Sequence, residues 1–108
     1  MLLQGFLLSY KFFQTTTKKC LDSLLPQAQS CGVTISVGDN ASPDHSPLQL
    51  SDYQDRLCQE HPDQSEILSV SYFDQNFGYA GGMNRLTCNS EADWLLLIGS
   101  DTVFAPDA

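Results

Sequence analysis

Two aspartates stand where they could do chemistry. Asp39 comes just after the β-branched run Val33-Thr34-Ile35-Ser36-Val37, and Asp101 comes shortly after the apolar run Trp94-Leu95-Leu96-Leu97-Ile98. A carboxylate at a strand end can accept hydrogen bonds from a ligand or join the oxygen shell of a hard divalent cation. In that reading Asp101 is a metal ligand and Asp39 accepts from donor groups on a base or ribose, each on a partly wet loop tip. The plainer reading makes both of them turn or helix-capping residues, because a carboxylate also satisfies free backbone N–H groups. Spacing alone leans to the plainer reading.

The other chemical candidates are fewer. Asn76-Phe77-Gly78-Tyr79-Ala80-Gly81-Gly82-Met83-Asn84 is the densest glycine cluster. It lacks the G-x-G-x-x-G order of a dinucleotide fingerprint. Its glycines either let backbone approach a ligand or let a helix pack tightly on a sheet, and both readings stay open. His45 and His61 lie 16 residues apart in loops, with no metal-ligand spacing. Lys18-Lys19 reads as a solvated helix face. Neither a G-x-S-x-G elbow nor a P-loop is present. Cys20, Cys31, Cys58 and Cys88 form no C-x-x-C pair, so reduced thiols in a reducing compartment are expected. Asn40-Ala41-Ser42 fits a glycosylation triplet but is expected to serve as part of a turn.

The elements that must position these residues follow from pattern. Phe6-Leu7-Leu8-Ser9-Tyr10 reads as a buried strand. Phe13, Thr17, Cys20, Leu21, Leu24 and Leu25 share one face of a helix that Pro26 is expected to end. Cys31-Gly32 is a turn, Val33 to Val37 a second strand, and Gly38 to Pro47 a loop dense in turn formers. Leu50, Tyr53 and Leu57 mark a helix over about Leu48 to Cys58, broken by His61-Pro62-Asp63. Ile67 to Tyr72 is a third strand, Asp74 to Gly82 a glycine-rich connection, and Ala80 to about Asn89 a short helix. Trp94 to Ile98 is a fourth strand, apolar throughout as if covered on both faces. The alternation predicts an α/β fold, a mostly parallel Rossmann-like sheet with flanking helices. Right-handed crossovers then put every strand-to-helix loop on one edge, where such sheets bind ligands. Ser9-Tyr10, Asp39-Asn40, Asp74 to Gly78 and Gly99-Ser100-Asp101 meet there.

Composition narrows the partners. The 108 residues, 42% hydrophobic and 17% charged, suit one folded domain. The net charge of −8 is lopsided. Up to Gly38, Lys11, Lys18 and Lys19 face only Asp22, whereas from Asp39 onward Arg56 and Arg85 face twelve acids. No basic stripe exists to neutralise a nucleic acid backbone, so no nucleic acid partner is expected. A small phosphorylated ligand is compatible, because a divalent cation can stand between carboxylate and phosphate. No run approaches the roughly 18 apolar residues of a membrane helix. Leu2 to Leu8 lacks the flank and cleavage site of a secretion signal.

Five blocks in order then resemble one family. They are Leu8-Ser9-Tyr10, Lys19 to Gln27, Val37-Gly38-Asp39-Asn40-Ala41-Ser42-Pro43-Asp44, Asn76 to Asn84, and Leu96 to Ala108. Together they look like the start of a family 2 glycosyltransferase, with the glycine block most similar to a rhamnosyltransferase-like branch. The resemblance implies the nucleotide-binding half of a GT-A fold and transfer of a sugar from a nucleotide-diphospho-sugar, UDP- or dTDP-linked, with inversion. By position it puts Asp39 at the base or ribose and Ser9 and Tyr10 near the nucleoside. Asn76, Gly78 and Asn84 line the same pocket, and Asp101 becomes the last acid of the D-x-D element that holds Mg²⁺ or Mn²⁺. The acceptor would be a glycan or a lipid-linked acceptor, and the location cytoplasmic, including the cytoplasmic membrane face.

Two departures qualify the match. Gly99 stands where the family has Asp or Asn. The later part of the family, with its acceptor site and general base, is not in these residues, so residues 1–108 are expected to form a single truncated domain and no general base is assigned. A non-catalytic remnant or interaction domain is therefore the alternative; a receiver-like phosphate-handling domain gives the Gly-Gly-Met-Asn block no job. An uncovered sheet is also expected to promote self-association.

Overall fold

The computed structural model describes residues 2–105, so Pro106, Asp107 and Ala108 of the last block lie outside the described residues. Among the described residues, four parallel strands form one sheet: β1 (Leu3–Ser9), β2 (Thr34–Asp39), β3 (Leu68–Tyr72) and β4 (Trp94–Ile98). Their spatial order is β3-β2-β1-β4. The chain steps from β1 to β2 to β3 in one direction, then returns across the sheet to β4 on the far side of β1. The expected α/β class with a Rossmann-like parallel sheet is what the molecule shows.

A left-handed pair of residues and a π-helical turn (Phe13–Thr17) lead from β1 into α1 (Lys18–Cys31). The sequence reading ends this helix at Pro26, but the helix runs through it. Pro26 lies on the exposed side, while Leu24, Leu25 and Ala28 continue the buried stripe past it. Packing of that stripe offsets the lost donor. Gly32 at φ 71 closes the helix instead, donating its N–H to the carbonyls of Ala28 and Gln29.

Between β2 and β3 lie α2 (Ser46–Glu60) and α3 (Pro62–Glu66). The expected loop from Gly38 to Pro47 is therefore shorter at both ends. Gly38 and Asp39 extend β2 because they pair with Leu8 and Ser9 of β1. Pro47 sits in the first turn of α2, where no backbone donor is required. Pro62 likewise starts a helix after the break at His61.

Phe13, Leu21, Leu25, Val37, Leu50 and Ile98 belong to the main core, which joins the first two helices to one sheet face. A smaller core on the other face holds Phe6, Leu8 and Met83, the last from α4 (Gly78–Thr87). Lys18 pairs with Asp22 at 2.8 Å, and the Tyr53 hydroxyl donates to the same carboxylate at 2.9 Å, tying α1 to α2.

β4 departs from expectation. Its continuous apolar run predicts cover on both faces, yet Trp94, Leu95, Leu96 and Leu97 are all exposed and only Ile98 is buried. The helices are centred over β1 and β2, so the strand beyond β1 keeps its apolar side chains in water. The segment after β4 turns back along α1: the Phe104 N–H donates to the Ser23 hydroxyl at 2.9 Å, and the Gln27 amide donates to the Ala105 carbonyl at 2.6 Å. No helix among the described residues is long and apolar enough to cross a membrane.

Candidate functional site

The carboxyl edge is built by side chains that hold other segments' backbones. After β1, Lys11 and Phe12 adopt φ 60 and 57. Two successive non-glycine residues in the left-handed region cost on the order of 1–3 kcal/mol each. Three bonds from the β2–α2 connection and the first residue of α2 offset that cost. Lys11 N–H donates to the Ser42 hydroxyl at 2.9 Å, Phe12 N–H to Asp44 Oδ2 at 2.9 Å, and Phe13 N–H to the Ser46 hydroxyl at 3.1 Å. Hydrogen bonding from Ser46 and from the Phe12 N–H holds the Asp44 carboxyl below the usual carboxylate range.

Asp39 lies beneath this arrangement. It was expected to be partly wet, but it is 1% exposed. Its carboxylate accepts the Ser42 N–H at 3.0 Å and the Ser42 hydroxyl at 2.8 Å. Burial follows from its place as the last paired residue of β2, bonded to β1 and β3 on either side. Ser42 thus accepts from Lys11 and donates to Asp39, with Ala41 at φ 58 making the turn between them. Ser9 is also fully buried, its hydroxyl bonded to that of Thr17 at 2.8 Å.

Asn40 performs the same service for the glycine-rich connection. It is 3% exposed. Its amide nitrogen donates to Asn76 Oδ1 at 3.0 Å and to the Gly78 carbonyl at 3.1 Å, and its amide oxygen accepts the Phe77 N–H at 3.0 Å. Asn76 Oδ1 also accepts the Gly78 N–H at 2.7 Å, closing a turn that needs φ +72 at Gly78. The two readings of the cluster divide between its glycines. Gly78 faces open space at the edge, whereas a Cβ on Gly82 would come within 2.9 Å of Leu8 and 3.2 Å of the Asn40 amide. Arg85 stacks on the outer Phe77 ring, its guanidinium 3.7 Å from the centroid.

A cleft of about 540 Å³ opens where these loops meet. Tyr10, Lys11, Phe12 and Thr16 form one wall; Asn40, Asn76, Gly78 and Tyr79 form another; Gly99, Ser100 and Asp101 close the third side above Leu8. Of the residues expected to act together, the structure gathers Tyr10, Asn76, Gly78 and Asp101. It does not bring Ser9, Asp39 or Asn84 to the lining: the first two are buried below it, and Asn84 is exposed on α4. Lys11, Phe12 and Tyr79 were not anticipated as lining residues. The available signal is proximity in sequence, since Lys11 and Tyr79 adjoin edge residues and Phe12 lies two positions after Tyr10.

Asp101 is exposed, in a turn closed by the Thr102 N–H donating to the Gly99 carbonyl at 3.0 Å. A Cβ on Gly99 would lie 3.1 Å from Asp101 Oδ1, so the glycine leaves that carboxylate room. Among the described residues no three His, Cys, Asp or Glu side chains group to hold a metal. One free carboxylate beside an open cleft fits a Mg²⁺ or Mn²⁺ that takes its remaining shell from phosphate and water, not a cation caged by protein. Beneath the turn, Cys20 reaches the Gly99 carbonyl at 3.8 Å, and burial, with the Asp101 charge second, pushes its thiol up to about 11.

Glycosyl transferase family 2 matches the chain over residues 10–108. The fold is similar to that of residues 1–349 of S. aureus TarS in complex with UDP-GlcNAc, with a TM-score of 0.74, 20% identity, and coverage of 99% of this chain and 28% of that one. For the same TarS fragment without a named ligand the values are 0.72, 21%, 99% and 29%. The mannosyltransferase PcManGT from Pyrobaculum calidifontis, in complex with GDP-Man and Mn²⁺, gives 0.71, 17%, 97% and 29%. The present chain thus spans less than a third of these structures. A search of curated proteins finds no match. The family match over nearly the whole length and the shared fold agree: the chain belongs to glycosyl transferase family 2.

Proposed function

We propose that the cleft at the carboxyl edge binds the nucleotide-diphospho-sugar donor of an inverting sugar transfer, and that this chain is the donor-binding part of such an enzyme. The observation that carries the reading is the convergence of Tyr10, Asn76, Gly78 and Asp101 from three separate connections on one cleft. Complexes of similar folds with UDP, UDP-GlcNAc and GDP-Man support it.

In this reading the Tyr10 ring, 41% exposed, offers a face to the base. Asn76 and Gly78 supply polar edges beside it. Lys11, the one basic residue among the described residues lining the cleft, offers an ammonium to the phosphates. Asp101 holds a divalent cation, which supplies charge neutralisation for the leaving diphosphate. Asp39 and Ser9 act from below as positioning groups, and Asn84 contributes through α4. A UDP- or dTDP-linked donor, a glycan or lipid-linked acceptor, a rhamnosyltransferase-like branch and a cytoplasmic setting complete the proposal.

Calorimetric titration with UDP and dTDP, with and without Mn²⁺, tests it. Binding should require the cation and disappear in Asp101→Ala; binding without metal, equal in that variant, would remove the assigned mechanism. A second reading, donor binding without transfer, is favoured by one observation. Asp101 is the one acid among the described residues lining the cleft, and the donor reading already assigns it to the cation. Turnover of any donor by this chain alone would dismiss that reading.

A further inference from the structure

We propose that Asp44 is a positioning residue for the donor cleft, setting the shape of the Tyr10–Phe12 wall from the β2–α2 connection. The inference rests on the donor-site reading above, and it adds a residue that neither touches the cleft nor lines it.

The geometry separates this role from an ordinary local turn at the start of a helix. Asp44 Oδ1 accepts the Ser46 N–H at 3.0 Å, which starts α2. That local turn, one residue ahead of the N-cap His45, needs no more than the one oxygen. The second oxygen leaves the connection altogether and accepts the N–H of Phe12, 32 residues earlier. Phe12 is exposed on its side-chain side and strained at φ 57, so packing does little to fix it. The next residue, Phe13, is buried against Tyr53 and held by Ser46. Without Asp44 the wall is still held at Lys11, at Phe13 and at the Phe12 carbonyl, which accepts the Thr16 N–H at 2.9 Å, but the Phe12 N–H loses its acceptor and the left-handed turn loses one of its ties. Ser42 does for Lys11 what Asp44 does for Phe12, and Asp39 holds Ser42 in place. The connection is a template for the wall; its acids face backbone, not ligand.

The test combines amide hydrogen exchange with nucleotide titration on the whole chain, comparing wild type with Asp44→Ala, Asp44→Asn and Ser42→Ala. In Asp44→Ala the Phe12 amide should exchange at least about tenfold faster, with Leu7 and Val37 amides unchanged, and UDP affinity in Mn²⁺ should fall about tenfold. Asp44→Asn keeps one acceptor and should fall between. Ser42→Ala should free the Lys11 amide in the same way, and Ser42→Thr should restore it. Unchanged exchange at Phe12 in both Asp44 variants overturns the proposal, as does freed exchange with wild-type affinity. Should Asp44→Ala lose protection throughout, Asp44→Asn decides on the same criteria. A wild-type chain that binds no nucleotide brings down the donor reading instead, and the Phe12 amide still decides whether Asp44 holds the wall.

Discussion

Phe6 and Leu97 are neighbours in register on adjacent parallel strands, yet Phe6 is 1% exposed and Leu97 51%. That contrast runs through the molecule. The β1–β2 side is covered on both faces, and its loops are bound to one another by buried side chains such as Asp39 and Asn40. On the β4 side, four of five strand residues are exposed, and α1 is reached through the turn after the strand. The lesson is that the walls of the cleft are not equally built. Two are held by networks of N–H and amide bonds among the loops themselves, and the third, which carries Asp101, hangs from an edge strand and is tied to α1 by the long Cys20 thiol contact and by the segment that follows.

The largest expected effect comes from removing the better-built side. Phe6→Ala should cost about 3–5 kcal/mol in chemical denaturation, and Leu97→Ala less than about 1 kcal/mol. Equal costs would mean that β4 is covered in solution, which would erase the contrast. Asp39→Ala should come next, at about 1–3 kcal/mol, because it leaves the Ser42 N–H and hydroxyl without their acceptor; a change below about 0.5 kcal/mol would show that the buried carboxylate does not hold the turn.

Asp44 gives a smaller, pH-dependent effect. Folding lowers its pKa, so its contribution is complete above the ordinary value of 3.8 and is lost as pH falls through the lower folded value. Asp44→Asn should flatten that part of the acid limb while leaving the rest; an unchanged limb would count against the carboxylate's bonds. The smallest effect on stability, within about 0.5 kcal/mol, belongs to Leu97→Lys. Its consequence lies elsewhere: sedimentation should show the wild-type chain self-associating through the exposed strand and the variant doing so less. A monodisperse wild-type monomer would set that aside.

Periodicity and turn chemistry made the scaffold legible. Trp94 to Ile98 has the same bounds in sequence and structure, and Gly32 marks the first turn as its type requires. What was missed depends on neighbours that sequence does not display. Pro26 looked like a stop because propensity is local, whereas the buried stripe that carries α1 onward is tertiary. The apolar run of β4 looked buried because composition cannot tell a central strand from an edge left bare. The site was half legible. Its edge residues follow from the right-handed crossovers, but the bonds from Ser42, Asp44 and Ser46 to Lys11, Phe12 and Phe13 join segments more than 30 residues apart. Those three acceptors were visible only as turn formers, and nothing in spacing says whose backbone a turn former will hold.

The central claim is that the cleft is where the donor's diphosphate and its cation sit. Backbone amide NMR with UDP tests it most directly, using Mg²⁺ for shift mapping and trace Mn²⁺ for paramagnetic broadening. The account predicts shifts at Tyr10 to Phe12 and Asn76 to Tyr79, with broadening strongest at Gly99 to Thr102 and absent from the far end of α2. Broadening centred elsewhere, or UDP shifts that leave all three walls untouched, would contradict it.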